Sequence, residues 1–170
     1  MPTRQPFTIG DVTIAAGTKQ IIDLSISVLA DHTPVTMSVH VTHGRTNGPI
    51  IFVSAGVHGD EIIGVEIVRR LLRAPNLLTL RGTLVVVPIV NTFGFINRSR
   101  YLPDRRDLNR SFPGSTVGSL ASRLAHIFLT EIVARCDLGI DLHSAAIHRT
   151  NLPQIRIAAN NERTAKLAKI

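Results

Sequence analysis

The chain has 170 residues, 44% of them hydrophobic, which suits one domain able to hide roughly 70% of its unfolded surface and excludes a disordered chain. Nineteen basic against twelve acidic residues give a net charge of +7. That surplus would permit nucleic-acid binding, but Arg98, Arg100, Arg105, Arg106 and Arg110 crowd into one polar loop, and one tyrosine with no tryptophan leaves little stacking surface, so no nucleic-acid partner is expected.

Cys136 is the only cysteine, which excludes an internal disulfide and favours a reducing, cytoplasmic setting. Met1 to Asp11 lacks the basic-then-apolar pattern of a secretion signal, and no apolar run approaches the ~20 residues of a membrane span. The expectation is a soluble protein with no membrane partner.

Ile21 to Leu29 and Val35 to His43 alternate apolar and polar residues around Asp31 to Pro34, the pattern of an antiparallel hairpin at a sheet edge. After the Asn47-Gly48-Pro49 turn, Ile50 to Val53 is a continuous apolar run that predicts a strand buried on both faces. Ile62, Ile63, Ile67, Leu71 and Leu72 then fall at helical spacing, with Asp60 as the expected N-cap and Pro75 closing the element. Thr83 to Val87 predicts a second buried strand, and Val90 to Thr116 a long loop of the kind that usually carries function.

Helical spacing returns from Val117 to Arg135, and Leu138 to Leu142 predicts a third buried strand. Gln154 to Ile157 suggests a fourth strand, and Glu162 to Ile170 the start of a helix. Strand and helix alternate, so the predicted class is α/β: a mainly parallel mixed sheet flanked by helices, with an N-terminal antiparallel hairpin. No repeat, low-complexity segment or interdomain linker interrupts it.

In open α/β sheets ligands bind outside the carboxyl ends of the strands. Three polar groups sit at such ends: His58-Gly59-Asp60-Glu61, the arginine-rich loop, and His143-Ser144. An H-x-x-E spacing lets an imidazole and a carboxylate reach one cation, and Gly59 lets the backbone bend between them. His143 would add a third ligand from a neighbouring strand, giving the two-His, one-Glu set of catalytic zinc sites. Taken alone, His58 and Glu61 read first as a solvent-facing helix start, and His143 as a strand-end histidine bonded to backbone. His32, His40, His43 and His126 read as structural or surface residues, and His148 stays open.

Taken together, V-S-A-G-V-H-G-D-E (Val53 to Glu61), R-Y-L-P-D-R-R-D-L-N-R-S-F-P-G (Arg100 to Gly114) and D-L-H-S (Asp141 to Ser144) resemble the succinylglutamate desuccinylase/aspartoacylase family of zinc carboxypeptidase-like enzymes. The resemblance runs from about Pro49 to Arg156. It implies one zinc per chain held by His58, Glu61 and His143, with Asp107 orienting His58, and Asn109 and Arg110 holding the carboxylate of a small anionic N-acyl amino acid. It further implies that Arg100 is catalytic, polarising the scissile carbonyl. Arg156 is a candidate second anion contact, against a structural ion pair. Asp141 either supports the metal site or caps its strand. Arg98, Arg105 and Arg106 read as a solvated surface.

One element of the family pattern is missing. The family's general base is a glutamate well downstream of the last zinc-binding histidine, and Glu162 is the only carboxylate after His143 here. Glu162 reads as a solvated first-turn residue favoured by the helix dipole. The expectation is that the 170 residues form the N-terminal portion of a longer catalytic domain, able to bind metal but turning over little by itself. Self-association is left open. The rival readings are a metallocarboxypeptidase acting on peptides and a metal- or anion-binding module without activity.

Overall fold

The computed structural model describes residues 4–169, the side chain of Leu78 excepted. Met1 to Thr3, within the segment read for a secretion signal, and Ile170, the last residue of the expected final helix, lie outside the described residues.

The alternation in the first half of the chain folds as the predicted hairpin. Strand β3 (Thr18–Val28) turns its Ile22, Leu24 and Ile26 inward, opposite Val35, Met37, Val39 and Val41 of β4 (Pro34–His43). The intervening polar residues face water, so one side of the pair is solvated. Strands β5 (Thr46–Ala55), β6 (Arg81–Val87) and β7 (Leu138–Leu142) complete a five-stranded sheet of order β3-β4-β6-β5-β7. It is mixed: β4 runs antiparallel to β3 and β6, whereas β5 is parallel to both β6 and β7. Val85 to Val87 and Phe52 to Ala55 are buried on both faces, as continuous apolar runs in central strands require.

A hairpin before β3 was not anticipated. Phe7–Ile9 (β1) and Val12–Ile14 (β2) pair across Gly10-Asp11, bury Ile9 and Ile14 completely, and place Gly10 at φ +54°. The signal was present as two apolar-Thr-apolar triplets flanking a Gly-Asp turn. Glu131 ties this hairpin to the rest by accepting from the Gly10 amide at 2.9 Å and from Arg135 at 2.7 Å.

The first helix, α1 (Ile63–Leu71), begins after the predicted cap. Ile62 occupies the cap position without a side-chain bond, and Asp60 belongs to the turn before it. Gly64 and Val68 face the sheet, while Ile62, Ile63 and Ile67 are about half exposed or more. Gly64 permits the close approach: a Cβ there would stand 3.0 Å from Leu142 Cβ and 3.1 Å from Ala55 Cβ.

The predicted loop between Val90 and Thr116 carries more structure than its composition suggested. Asn91 caps a short helix α2 (Thr92–Ile96) by accepting from the Gly94 amide at 2.8 Å, and Leu102 and Leu108 are buried. The helix predicted from Val117 starts instead at Leu120, because Gly118 sits at φ +105° and Ser119 supplies the cap. From α3 (Leu120–Ile127) it widens into a π-helical turn and ends in a 3-10 turn at Arg135.

Two expectations in the last third are corrected. Leu138–Leu142 is a strand but not a buried one: among the described residues only β5 flanks it, and Ile140 is 49% exposed. Gln154 to Ile157 is not a strand; it is exposed and pairs with no other strand among the described residues. A final short helix α4 (Glu162–Leu167) is capped by Asn161. No helix among the described residues is long and apolar enough to cross a membrane.

Cys136 lies partly buried between the last helical turn and β7. Burial, with Asp137 adding to it, pushes its thiol up to about 11, so thiolate is scarce near neutral pH. A colorimetric disulfide reagent at pH 8 is expected to label native Cys136 at least about tenfold more slowly than the denatured chain. Equal rates would place the thiol in open solvent.

Candidate metal centre

The parallel register lines up three strand ends. Ser54 lies opposite both Val87 of β6 and Asp141 of β7, and Ala55 opposite Leu142. The chain leaving β6 then bonds to the chain leaving β5: Val90 N–H donates to Ala55 O at 3.0 Å and Asn91 N–H to Gly56 O at 2.9 Å. Gly59 is needed for contact rather than for bending, because a Cβ there would fall 1.9 Å from the Gly94 carbonyl carbon. Its amide donates to Ser99 O at 3.0 Å, so the H-x-x-E loop is clamped against α2 and the segment leading to Arg100.

These constraints bring His58, Glu61 and His143 together, with one potential ligand atom from each lying within 4.8 Å of the others. His58 Nδ1 is 2.8 Å from Glu61 Oε1, and His143 Nδ1 is 3.0 Å from Glu61 Oε2. His58 and Glu61 are almost fully buried at 2% and 3% exposure, and His143 closes the solvent side. The two rings meet edge to face with centroids 5.0 Å apart.

The outward ring nitrogens are also occupied. His58 Nε2 is 3.1 Å from Asp107 Oδ1, and His143 Nε2 is 2.5 Å from Asp141 Oδ2. A carboxylate on one ring nitrogen fixes the tautomer and turns the other lone pair toward a metal. Asp141 was open between supporting the site and capping its strand. It bonds His143, and it accepts from Ser54 Oγ on the neighbouring strand at 2.7 Å. Its position two residues before His143, at the end of β7, lets both side chains point the same way, a signal the sequence already contained.

Arg100 joins the two halves of the network. Its Nε and Nη2 donate to Asp107 Oδ2 at 3.1 and 3.0 Å, and its Nη1 to Glu61 Oε1 at 3.2 Å. Burial pushes the Asp107 carboxyl up, but bonds from the His58 ring, the Asn109 amide and nearby Arg100 outweigh it and hold the group below the usual carboxylate range. The bond to Asp141 raises His143, with Glu61 assisting, against the opposing effect of burial. The Ser144 amide donates to Glu61 Oε2 at 2.9 Å, a contact not anticipated from sequence.

The remaining expected residues divide. Asn109 and Arg110 lie two and three residues after Asp107 in the 3-10 turn Leu108–Arg110, with exposed side chains that make no hydrogen bond among the described residues. Arg98, Arg105 and Arg106 are exposed, as a solvated surface would be. Arg156 lies in an exposed irregular stretch and makes no hydrogen bond to the cluster. Asp60, expected as a helix cap, lines a cavity next to Arg100 together with Tyr101, Ile147 and Arg149.

Donors on a tetrahedral zinc sit roughly 3.3–3.5 Å apart; the contacts to Glu61 at 2.8 and 3.0 Å are shorter and the ligand atoms all lie within 4.8 Å, so a small adjustment of the side chains in both senses fits such an ion, and two His with one carboxylate is a donor set suited to it. A mixed sheet with a His-Glu-His cluster at its parallel strand ends is the arrangement of the zinc carboxypeptidase-like fold. The chain belongs to the succinylglutamate desuccinylase/aspartoacylase catalytic domain family, whose pattern it matches over residues 47–170. Members of this family are deacylases.

The chain is 35% identical over 101 residues to an N-alpha-acetyl-L-2,4-diaminobutyric acid deacetylase from Halomonas elongata, spanning 59% of this chain and 30% of that protein. It is 33% identical over 111 residues to succinylglutamate desuccinylase from Pseudomonas aeruginosa, spanning 59% of this chain and 32% of that one. The crystal structure of a succinylglutamate desuccinylase/aspartoacylase from Rhodobacter sphaeroides superposes with a TM-score of 0.69 at 28% identity, covering 75% of this chain and 40% of that one. The chain therefore spans about a third of the length of the curated relatives it matches.

Replacing Asp141 by Asn is expected to weaken zinc binding about 10–100-fold in competition with a chromophoric chelator. Unchanged affinity would reduce Asp141 to a strand-end contact with Ser54.

Proposed function

We propose that these 170 residues form the N-terminal, metal-binding portion of a zinc-dependent deacylase that hydrolyses the amide bond of small N-acyl amino acids. The observation that carries this reading is the convergence of both histidine Nδ1 atoms on Glu61 while a carboxylate holds each Nε2. His58, Glu61 and His143 would hold one zinc per chain. Bound there, zinc supplies Lewis acidity and lowers the pKa of water.

The chain's own residues would do the rest. Asp107 and Asp141 keep the Nε2 protons in place, so that neither ring can turn its Nδ1 lone pair away. Arg100 uses three of its five N–H donors on Glu61 and Asp107 and keeps the others for the carbonyl oxygen of the scissile amide, where negative charge develops. Asn109 and Arg110, exposed beside Asp107, offer an amide and a planar fork of N–H donors to the carboxylate of the amino-acid part. A small anionic N-acyl amino acid matches that arrangement, and the names of the curated relatives describe small N-acyl amino acids with a free carboxylate. The proton-transfer base is proposed to lie beyond Ile170, since Glu162 is an exposed first-turn residue on α4 that bonds to none of the site residues.

The full-length protein is expected to hold about one zinc per chain and to release free amine from N-acyl amino acids in a chelator-sensitive reaction. His58→Ala should abolish stoichiometric zinc and lower kcat/KM at least about a thousandfold, the several kcal/mol a Lewis-acid metal contributes. Preferential release of C-terminal residues from peptides would favour a carboxypeptidase instead. Zinc-free protein unaffected by His58→Ala would contradict both enzyme readings.

A further inference from the structure

Strand β3 closes one edge of the five-stranded sheet, and among the described residues no strand pairs with its outer side. It keeps an unbroken register with β4 from Thr18 to Ser25, and only then meets a bulge between Ser25 and Ser27. A long regular edge is a template for a further strand, and proteins blunt such edges with proline, bulges or several charges. The stretch from Thr18 to Leu24 has neither proline nor bulge, and Lys19 and Asp23 are its only charges. Between those two stands Ile21, 62% exposed in the middle of the edge.

Lys19, Ile21 and Asp23 alternate along the strand, so they share the face opposite the buried Ile22 and Leu24. Within one chain Lys19 and Asp23 cannot pair, because four residues of strand hold them roughly 13 Å apart. Asp23 accepts from Ser38 Oγ on β4. His40 on β4 feels the Asp23 charge, but burial outweighs it and holds the ring toward its neutral form. The carboxylate is therefore left without a cation among the described residues.

The spacing is self-complementary. A two-fold axis at Ile21 sets two antiparallel copies of β3 with Lys19 opposite Asp23, Gln20 opposite Ile22, and Ile21 opposite its own copy. Both Lys19–Asp23 pairs then form, and the two exposed isoleucines cover each other. Other axes lose this. At Ile22 the axis puts Ile21 against Asp23, at Asp23 it joins two carboxylates, and at Lys19 two ammonium groups.

We propose that β3 is a homodimer interface, along which two copies of this chain join edge to edge over Thr18 to Leu24 about a two-fold axis at Ile21. In the strand order β5 and β7 lie at the far side of the sheet from this edge, so the pairing leaves the His-Glu-His cluster open and stands independently of the deacylase reading.

Sedimentation velocity on the full-length protein, over a wide range of concentration at about 0.1 M salt, tests the interface. The wild type is expected to dimerise reversibly. Lys19→Asp sets carboxylates opposite each other in both pairs and should raise the dimer Kd roughly tenfold or more. Combining Lys19→Asp with Asp23→Lys restores both pairs in reverse and should return Kd close to the wild-type value. A second measurement does not depend on affinity. In this register position 21 faces its own copy with Cα atoms about 5 Å apart, so Ile21→Cys should cross-link on mild oxidation. Ser25→Cys, which faces Gly17 of the other copy, should not, and the raised thiol of Cys136 keeps it from competing. A protein that stays monomeric at every concentration, dimerisation indifferent to Lys19→Asp, a double variant no tighter than the single one, or cross-linking at position 25 in place of 21 each overturns the assignment.

Discussion

Glu61 is almost fully buried, and its two oxygens face an imidazole nitrogen apiece, an arginine and a backbone amide. A carboxylate in that setting has to be answered by the arginine, the amide and a cation shared with the two imidazole nitrogens, because an unanswered buried charge is far more costly than a mispaired one at the surface. The need reaches outward. His58 must be turned by Asp107 and His143 by Asp141, and Arg100 must span Asp107 and Glu61. The donors come from the segments following three different strands, so the cluster can exist only if the ends of β5, β6 and β7 lie level. The parallel register and the bonds joining the exits of β5 and β6 keep them so.

Two glycines beside the site serve the same purpose. Gly59 lets the H-x-x-E loop rest on the backbone of α2, and Gly64 lets α1 lie directly on Ala55 and Leu142. A side chain at Gly59 would push the loop away from α2 and separate the ligands, and one at Gly64 would force its neighbours to give by a few tenths of an ångström. Rigidity here comes from close backbone packing, which suits a site that must hold its donors near a fixed geometry.

Much of this was legible in the sequence for identifiable reasons. Apolar runs such as Val85 to Val87 announce central strands, and alternation through Ile22, Leu24 and Ile26 announces a one-sided hairpin. The three motifs at strand ends located the cluster and named His58, Glu61, His143, Arg100 and Asp107, all of which the fold brings into contact. What failed was anything that depends on neighbours. Periodicity reports that Ile62, Ile63 and Ile67 form an apolar stripe on α1 but not what covers it, and in this fold they are exposed. Leu138–Leu142 reads as a buried strand because burial depends on a second flanking element that a five-residue run cannot reveal. Asp60 reads as a cap from composition, yet the helix starts three residues later and leaves its carboxylate to the cavity.

A crystal structure of the zinc-loaded protein is the most direct test of the site. The account predicts zinc bound about 2.0–2.1 Å from His58 Nδ1 and His143 Nδ1, with a Glu61 oxygen as third protein ligand and the Nε2 atoms still on Asp107 and Asp141. Zinc coordinated through either Nε2, or bound away from Glu61, would contradict it.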